Sequence, residues 1–312
     1  KFTVIKYDEE GSLDLDFGMF GASRFTVENY GGILWDAVEL PNKKICIVGE
    51  VTFATSSTAT VTMLDSDGIV DTAFGIGGHL ELNMAAPFTR ARAVVETNGY
   101  LYVAGSYRGG GAEGLFVVKL DQTTGLQDVA FGSSGLFTYD FPDAMGSDVH
   151  DLVLTQSGNL YAFASGAYAG ALQEVLVLSI NQLGILNPSF GTGGILYFDS
   201  DPGDNVNNYV SCFETPDAYI TLETASYPVP SDPTSFSDFV VTQLDTFGNI
   251  NSSFGTSGTV VEPLDAGYGW PTFYTLNSSD SHVLHGRHVE TDSTVYDEFF
   301  RYDVQGVIPK FN

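Results

Sequence analysis

One phrase returns five times along this 312-residue chain and limits what it can fold into more than any other feature. It runs from a short apolar stretch through an acidic turn into Gly-x5-Phe-Gly-x2-Gly. Its phenylalanines are Phe17, Phe74, Phe131, Phe190 and Phe254, followed by Gly18, Gly75, Gly132, Gly191 and Gly255. The steps from one phenylalanine to the next are 57, 57, 59 and 64 residues. A repeat of that size, built from strand-length segments and glycine turns, signals a modular all-β array.

The second copy shows the unit. Thr60–Leu64 alternates as a strand and ends in Asp65-Ser66-Asp67-Gly68, where Asp bonds its own backbone and Gly supplies positive φ. After the Phe74 phrase come a strand at His79–Leu82, a strand at Ala91–Glu96, the tight pair Asn98-Gly99, and a return strand at Tyr100–Gly105. Naming these strands a (after the Phe-Gly turn), b, c and d, strand d recurs at Phe2–Tyr7, Thr60–Leu64, Leu115–Leu120, Val175–Ile180, Phe239–Leu244 and Glu298–Tyr302. The b–c hairpin recurs five times, at pairs such as Pro41-Asn42, Ser157-Gly158 and Pro216-Asp217.

A four-stranded sheet cannot bury both faces alone, and stacking such sheets radially does bury them. Five sets of a, b and c predict an all-β, five-bladed β-propeller of four-stranded antiparallel blades. It would form a single domain over 1–312, with repeats at about 7–63, 64–120, 121–179, 180–243 and 244–303. Strand 1–7 is expected to join the closing blade and close the ring by terminal strand pairing. A longer propeller, with further blades outside these residues, is the alternative.

The stretch Thr62–Gly78, together with Ala93–Ser106, resembles the repeat of the delta-60-repeat β-propeller family, bacterial proteins of mostly surface or secreted context. The likeness covers essentially the whole chain, five times over. Copy four departs from it with Asn187-Pro188, and Gly306–Asn312 lacks the Phe-Gly tail. The resemblance implies a propeller used for binding or display and carries over no catalytic residue.

Thirty-nine acids against 12 Lys and Arg give a net charge of −27. Nucleic acid and anionic bilayers call for a Lys/Arg stripe that this sequence does not contain. No apolar run approaches the roughly 18 residues that a membrane-spanning helix requires. Cys46 and Cys212 sit in apolar runs of different repeats and read as two buried free thiols. The chain begins at Lys1, consistent with a removed leader or an excised domain.

The repeated Phe and Gly residues read as structural: Phe plugs the space between neighbouring blades, and Gly takes backbone shapes that a Cβ obstructs. Asp14, Asp71, Asp128, Asn187 and Asn251 read as Asx turns. Asp65-Ser66-Asp67-Gly68 and Asp199–Asp204 do not match a calcium loop, and His282 and His285, three apart on a strand, point to opposite faces. No metal and no cofactor is expected. Neither a Gly-x-Ser-x-Gly elbow nor a Cys with a partnered His is present.

Strand alternation puts the a–b and c–d connections on one face, where the copies differ most; c–d loops span Thr52–Thr58, Ser106–Gly114, Ser165–Glu174, Thr224–Asp238 and Arg287–Asp297. That face gathers the candidate binding residues Trp35, Tyr107, Tyr168, Tyr227, Tyr268 and Trp270. The sequence therefore predicts a non-enzymatic, extracellular or cell-surface propeller that binds a protein or copies of itself through its variable face. A carbohydrate-binding propeller is the alternative, and a hydrolase or lyase the third reading.

Overall fold

The computed structural model describes residues 1–8, 10–141, 145–167, 173–198, 206–227, 238–263, 268–270, 276–278, 281–289 and 295–303. The described residues are all-β, with no helix. Two compact units form, one of residues 1–141, 147–152 and 182–185, the other of 142–146, 153–181 and 186–312.

A hairpin of β1 (Phe2–Ile5) and β2 (Ala22–Phe25) opens the chain. The first eight-stranded sheet holds β3 (Gly32–Glu39), β4 (Ile45–Thr52), β5 (Ser57–Leu64), β6 (His79–Leu82), β7 (Phe88–Thr97), β8 (Tyr100–Gly109), β9 (Ala112–Asp121) and β10 (Leu136–Asp140). It resolves into two antiparallel four-stranded modules, β3-β4-β5-β6 and β7-β8-β9-β10, joined through one parallel pair, Ser57 with Phe88.

The second eight-stranded sheet holds β11 (Met145–Leu154), β12 (Leu160–Ala167), β13 (Gln173–Ile180), β14 (Ile195–Phe198), β15 (Val206–Glu214), β16 (Ile220–Tyr227), β17 (Asp238–Leu244) and β18 (Thr259–Pro263). It repeats the plan, with Gln173 and Val206 as its parallel pair. In the last sheet β21 (Ser281–Val289) lies between β22 (Val295–Asp303) and the short strands β19 (Tyr268–Trp270) and β20 (Leu276–Ser278). Among the described residues no sheet closes on itself.

Each module runs b-c-d-a, so its outer strand belongs to the next copy of the sequence phrase. Consecutive copies are thereby interlocked by hydrogen-bonded ladders. The middle strands are rich in β-branched and aromatic residues and are buried almost continuously, because both faces are covered. Alternation assigns the faces: Cys46 and Val48 enter a cluster with Leu101, Val103 and Phe116, while Ile47 between them packs with Phe2 and Phe17. Both cysteines are free and buried. Burial raises the Cys46 thiol far above its ordinary pKa, so it is inert.

The Phe-Gly turns explain the period. All five phenylalanines are fully buried. Four of the five paired glycines donate their N–H to a carbonyl of the following turn: Gly18 to Asp67 (2.6 Å), Gly75 to Thr124 (3.0 Å), Gly132 to Leu183 (2.8 Å) and Gly191 to Phe247 (2.9 Å). The residue after each acceptor is a glycine at positive φ, and a Cβ on Gly68 would lie 2.8 Å from the Phe17 ring. The turn acids are Asx turns: Asp14, Asp71, Asp128, Asn187 and Asn251 each accept from the N–H two residues on. Lys44 and Lys119 hold the Asp71 and Asp128 carboxyls below their ordinary range.

One boundary moves. The glycine-rich segment read as a loop over Ser106–Gly114 is a tight hairpin at Gly110-Gly111, both at positive φ, and β8 continues to Gly109. Tyr107 therefore lies within a strand.

Candidate functional site

The b strands carry a device that the strand alternation does not announce. On β3, Leu34 pairs with Gly49 and Asp36 with Val48, leaving Trp35 as an extra residue. On β7, Ala91 pairs with Gly105 and Ala93 with Ala104, leaving Arg92 extra. On β15 the same shift falls at Tyr209, between Asn208 and Val210. These are β-bulges, which bend a strand and re-aim one side chain. The facing glycines permit them: a Cβ on Gly49 would sit 2.2 Å from the Ile33 carbonyl oxygen, and one on Gly105 would sit 1.9 Å from that of Arg90.

The bulges of the first unit bring together residues far apart in sequence. Trp35 is 40% exposed, with the Arg92 guanidinium 3.7 Å from its ring centroid. Arg92 Nε donates to the Val149 carbonyl (3.0 Å), and its Nη2 lies 2.9 Å from Asp148 Oδ2. Arg90 Nε donates to Glu50 (3.2 Å) and its Nη1 to Asp148 (3.1 Å). The Ser106 hydroxyl donates to the other Asp148 oxygen. Next to Trp35, Asp36 accepts from Val94 N–H (2.8 Å) and Ala37 N–H (2.7 Å).

Two arginines and two carboxylates thus share one network beside an open indole. The Glu50 side chain is 5% exposed, and its carboxylate accepts from Arg90. Asp148 accepts from three donors, which locks its carboxylate in place. Burial raises the Asp36 carboxyl pKa against its two backbone donors. Burial lowers the half-buried His150 to about 4; the Arg92 charge adds to that and Asp148 opposes it. Among the described residues no three His, Cys, Asp or Glu side chains converge as a metal site.

Of the residues expected to bind, Trp35 stands in this network. Tyr107 is 6% exposed, sits in the core cluster of β3–β9, and donates its hydroxyl to Asp140. Tyr168 lies outside the described residues, as does the Asp199–Asp204 segment. Tyr227, Tyr268 and Trp270 are placed on β16 and β19 by their backbone alone. Asp65-Ser66-Asp67-Gly68 is a turn: Asp65 Oδ1 accepts from Asp67 and Ile69 N–H. Sequence reasoning passed over Glu50, Arg90, Arg92 and Asp148. The available signal was spacing, since Arg90 and Asp148 are 58 residues apart, one repeat length.

No family model matches the chain, and no curated protein matches it. Solved structures do resemble it in fold. A sialidase of Trypanosoma rangeli, in complex with sialic acid, aligns over 98% of this chain and 51% of its own length (TM-score 0.48, 11% identity). A GH32 β-fructofuranosidase of Bombyx mori aligns over 89% and 62% (0.46, 8%). A hypothetical protein from Leishmania major aligns over 91% and 90% (0.44, 12%). The chain thus spans about half to two-thirds of the two enzymes' lengths. These neighbours correct the expectation that the chain is not an enzyme. Glycoside cleavage asks only that carboxylates from separate strands converge, which leaves no local motif to find.

Proposed function

We propose that this chain is a carbohydrate-recognising β-propeller whose site lies on the bulged inner strands around Trp35. The single observation that carries the reading is the indole, half open to solvent on a bulge, braced by Arg92 and flanked by an Arg–carboxylate–hydroxyl network. Sugars present apolar C–H faces that stack on aromatic rings and hydroxyls that need fixed donors and acceptors, and this arrangement offers both. Arg90, Asp148 and Ser106 are the polar partners for such hydroxyls.

A five-bladed ring closed at its termini belongs to the same proposal, supported by the repeat spacing and the interlocked modules. So do the kinship with the delta-60-repeat propellers and an extracellular or cell-surface location.

Binding of a panel of neutral and acidic oligosaccharides, measured on an array and then by calorimetry, tests the site. Wild-type protein is expected to bind at least one class, and Trp35→Ala to weaken it at least about tenfold with the fold retained. Chromogenic glycosides in the same panel report turnover. No binding across the panel, or binding indifferent to Trp35→Ala, overturns the reading.

A further inference from the structure

We infer that the d–a turn face of the first unit is a docking surface for a cationic amphipathic segment of a partner protein. The face consists of turns 8–21, 65–78 and 121–135, each fastened to the next by a glycine N–H: Gly18 to Asp67, then Gly75 to Thr124. The three turns therefore lie side by side. Ile76 is 89% exposed, and Met19, Phe20, Ile69, Leu126 and Val129 are all more than half exposed. Contiguous apolar surface of this kind is uncommon unless something covers it.

The turns themselves do not require these residues. In the fifth copy, Asn249 stands where Ile69 and Leu126 do, Ser252 where Val129 does, and Thr256 where Met19 and Ile76 do. That copy closes with the same backbone bonds: Phe254 N–H to Asn251 and Gly258 N–H to Phe254, as Phe74 N–H to Asp71 and Gly78 N–H to Phe74. Polar residues serve the turn equally well, so the apolar choice in the first three copies answers to another demand.

Charge selects the occupant. The three turns contain ten acids and no lysine, arginine or histidine. Lys6, Lys44 and Lys119 reach in from outside the turns to pair with Asp14, Asp71 and Asp128, and the other six described acids leave the face strongly negative. An anionic bilayer or nucleic acid is repelled, and a second copy would bring the same acids against these. A segment with a basic and an apolar face matches both features.

This surface shares no residue with the Trp35 site, so each can fail without the other. A dye-labelled amphipathic Lys/Leu peptide serves as probe, with a Lys/Gly peptide of equal charge as control, in buffer near physiological salt. Phe20→Ser, Ile76→Ser and Leu126→Ser combined leave the charge unchanged and touch only exposed turns. Wild-type protein is expected to bind the Lys/Leu peptide at least about tenfold more tightly than the triple variant does, and Trp35→Ala to bind it like wild type. Equal affinity for both peptides, or an unchanged triple variant, reduces the effect to the general field of an acidic protein and overturns the proposal. So does a wild-type dimer in sedimentation that the triple variant dissolves, because the occupant is then a second copy.

Discussion

The Phe-Gly turns recur in every copy and the b-strand bulges on β3, β7 and β15, yet they are built on opposite rules. Every turn has the same phenylalanine, fully buried, and four glycine N–H groups reach equivalent carbonyls one turn further on. The bulges keep the backbone irregularity and change the residue: Trp35, then Arg92, then Tyr209 on β15. A position that must fill a fixed space admits one side chain, whereas a bulge, which re-aims whatever side chain it carries, admits many. Uniformity marks what holds the modules together, and variation marks where recognition can be placed.

The largest effect that can break this comparison is Phe74→Ala. It empties a fully buried site and should cost about 3–5 kcal/mol in urea unfolding, while Trp35→Ala, losing a half-exposed ring, should cost well under that. Comparable losses at both positions would erase the distinction.

Gly68→Ala comes next. It places a Cβ against the Phe17 ring at φ +78°, and about 1–3 kcal/mol of stability should go. A neutral outcome by the same measurement would mean that the turns yield easily.

The smallest effect lies at His150 on β11, the position one repeat beyond Arg92. His150 is held neutral down to about pH 4, against an ordinary value of 6.5, so the unfolded chain takes up the proton first. Its contribution is therefore complete above pH 6.5 and is lost as pH falls from 6.5 toward 4. Roughly 1 kcal/mol is expected across that window once solvent screening of this half-buried ring is allowed for. His150→Gln should flatten the pH dependence of Tm there, and an unaltered slope would show that the ring stays solvated.

Much of the fold was legible because it rests on identical letters at a fixed interval. Phe74, Gly75 and Asp71 have counterparts in every copy save for an Asn replacement at the acid, and Asn98-Gly99 announces its hairpin by itself. The site was legible only at Trp35. A bulge adds one residue to a strand without changing its composition, so alternation cannot locate it, and Trp35, Arg92 and Tyr209 share no letter to align. Tyr107 misled for a related reason: four nearby glycines suggested an open loop, while Gly110-Gly111 needs only two residues to reverse the chain and leaves Tyr107 inside β8.

The link between turns also has a direction: the earlier copy gives the hydrogen and the later copy supplies the oxygen. Asp67, Thr124, Leu183 and Phe247 are thus interchangeable splice points, since excising Gly68–Thr124 would hand Gly18 to a carbonyl followed, as before, by a glycine at positive φ. A gene encoding such a chain can gain or shed whole copies by recombination at these codons and still translate into matched joints, which gives the architecture a ready route to proteins of differing copy number.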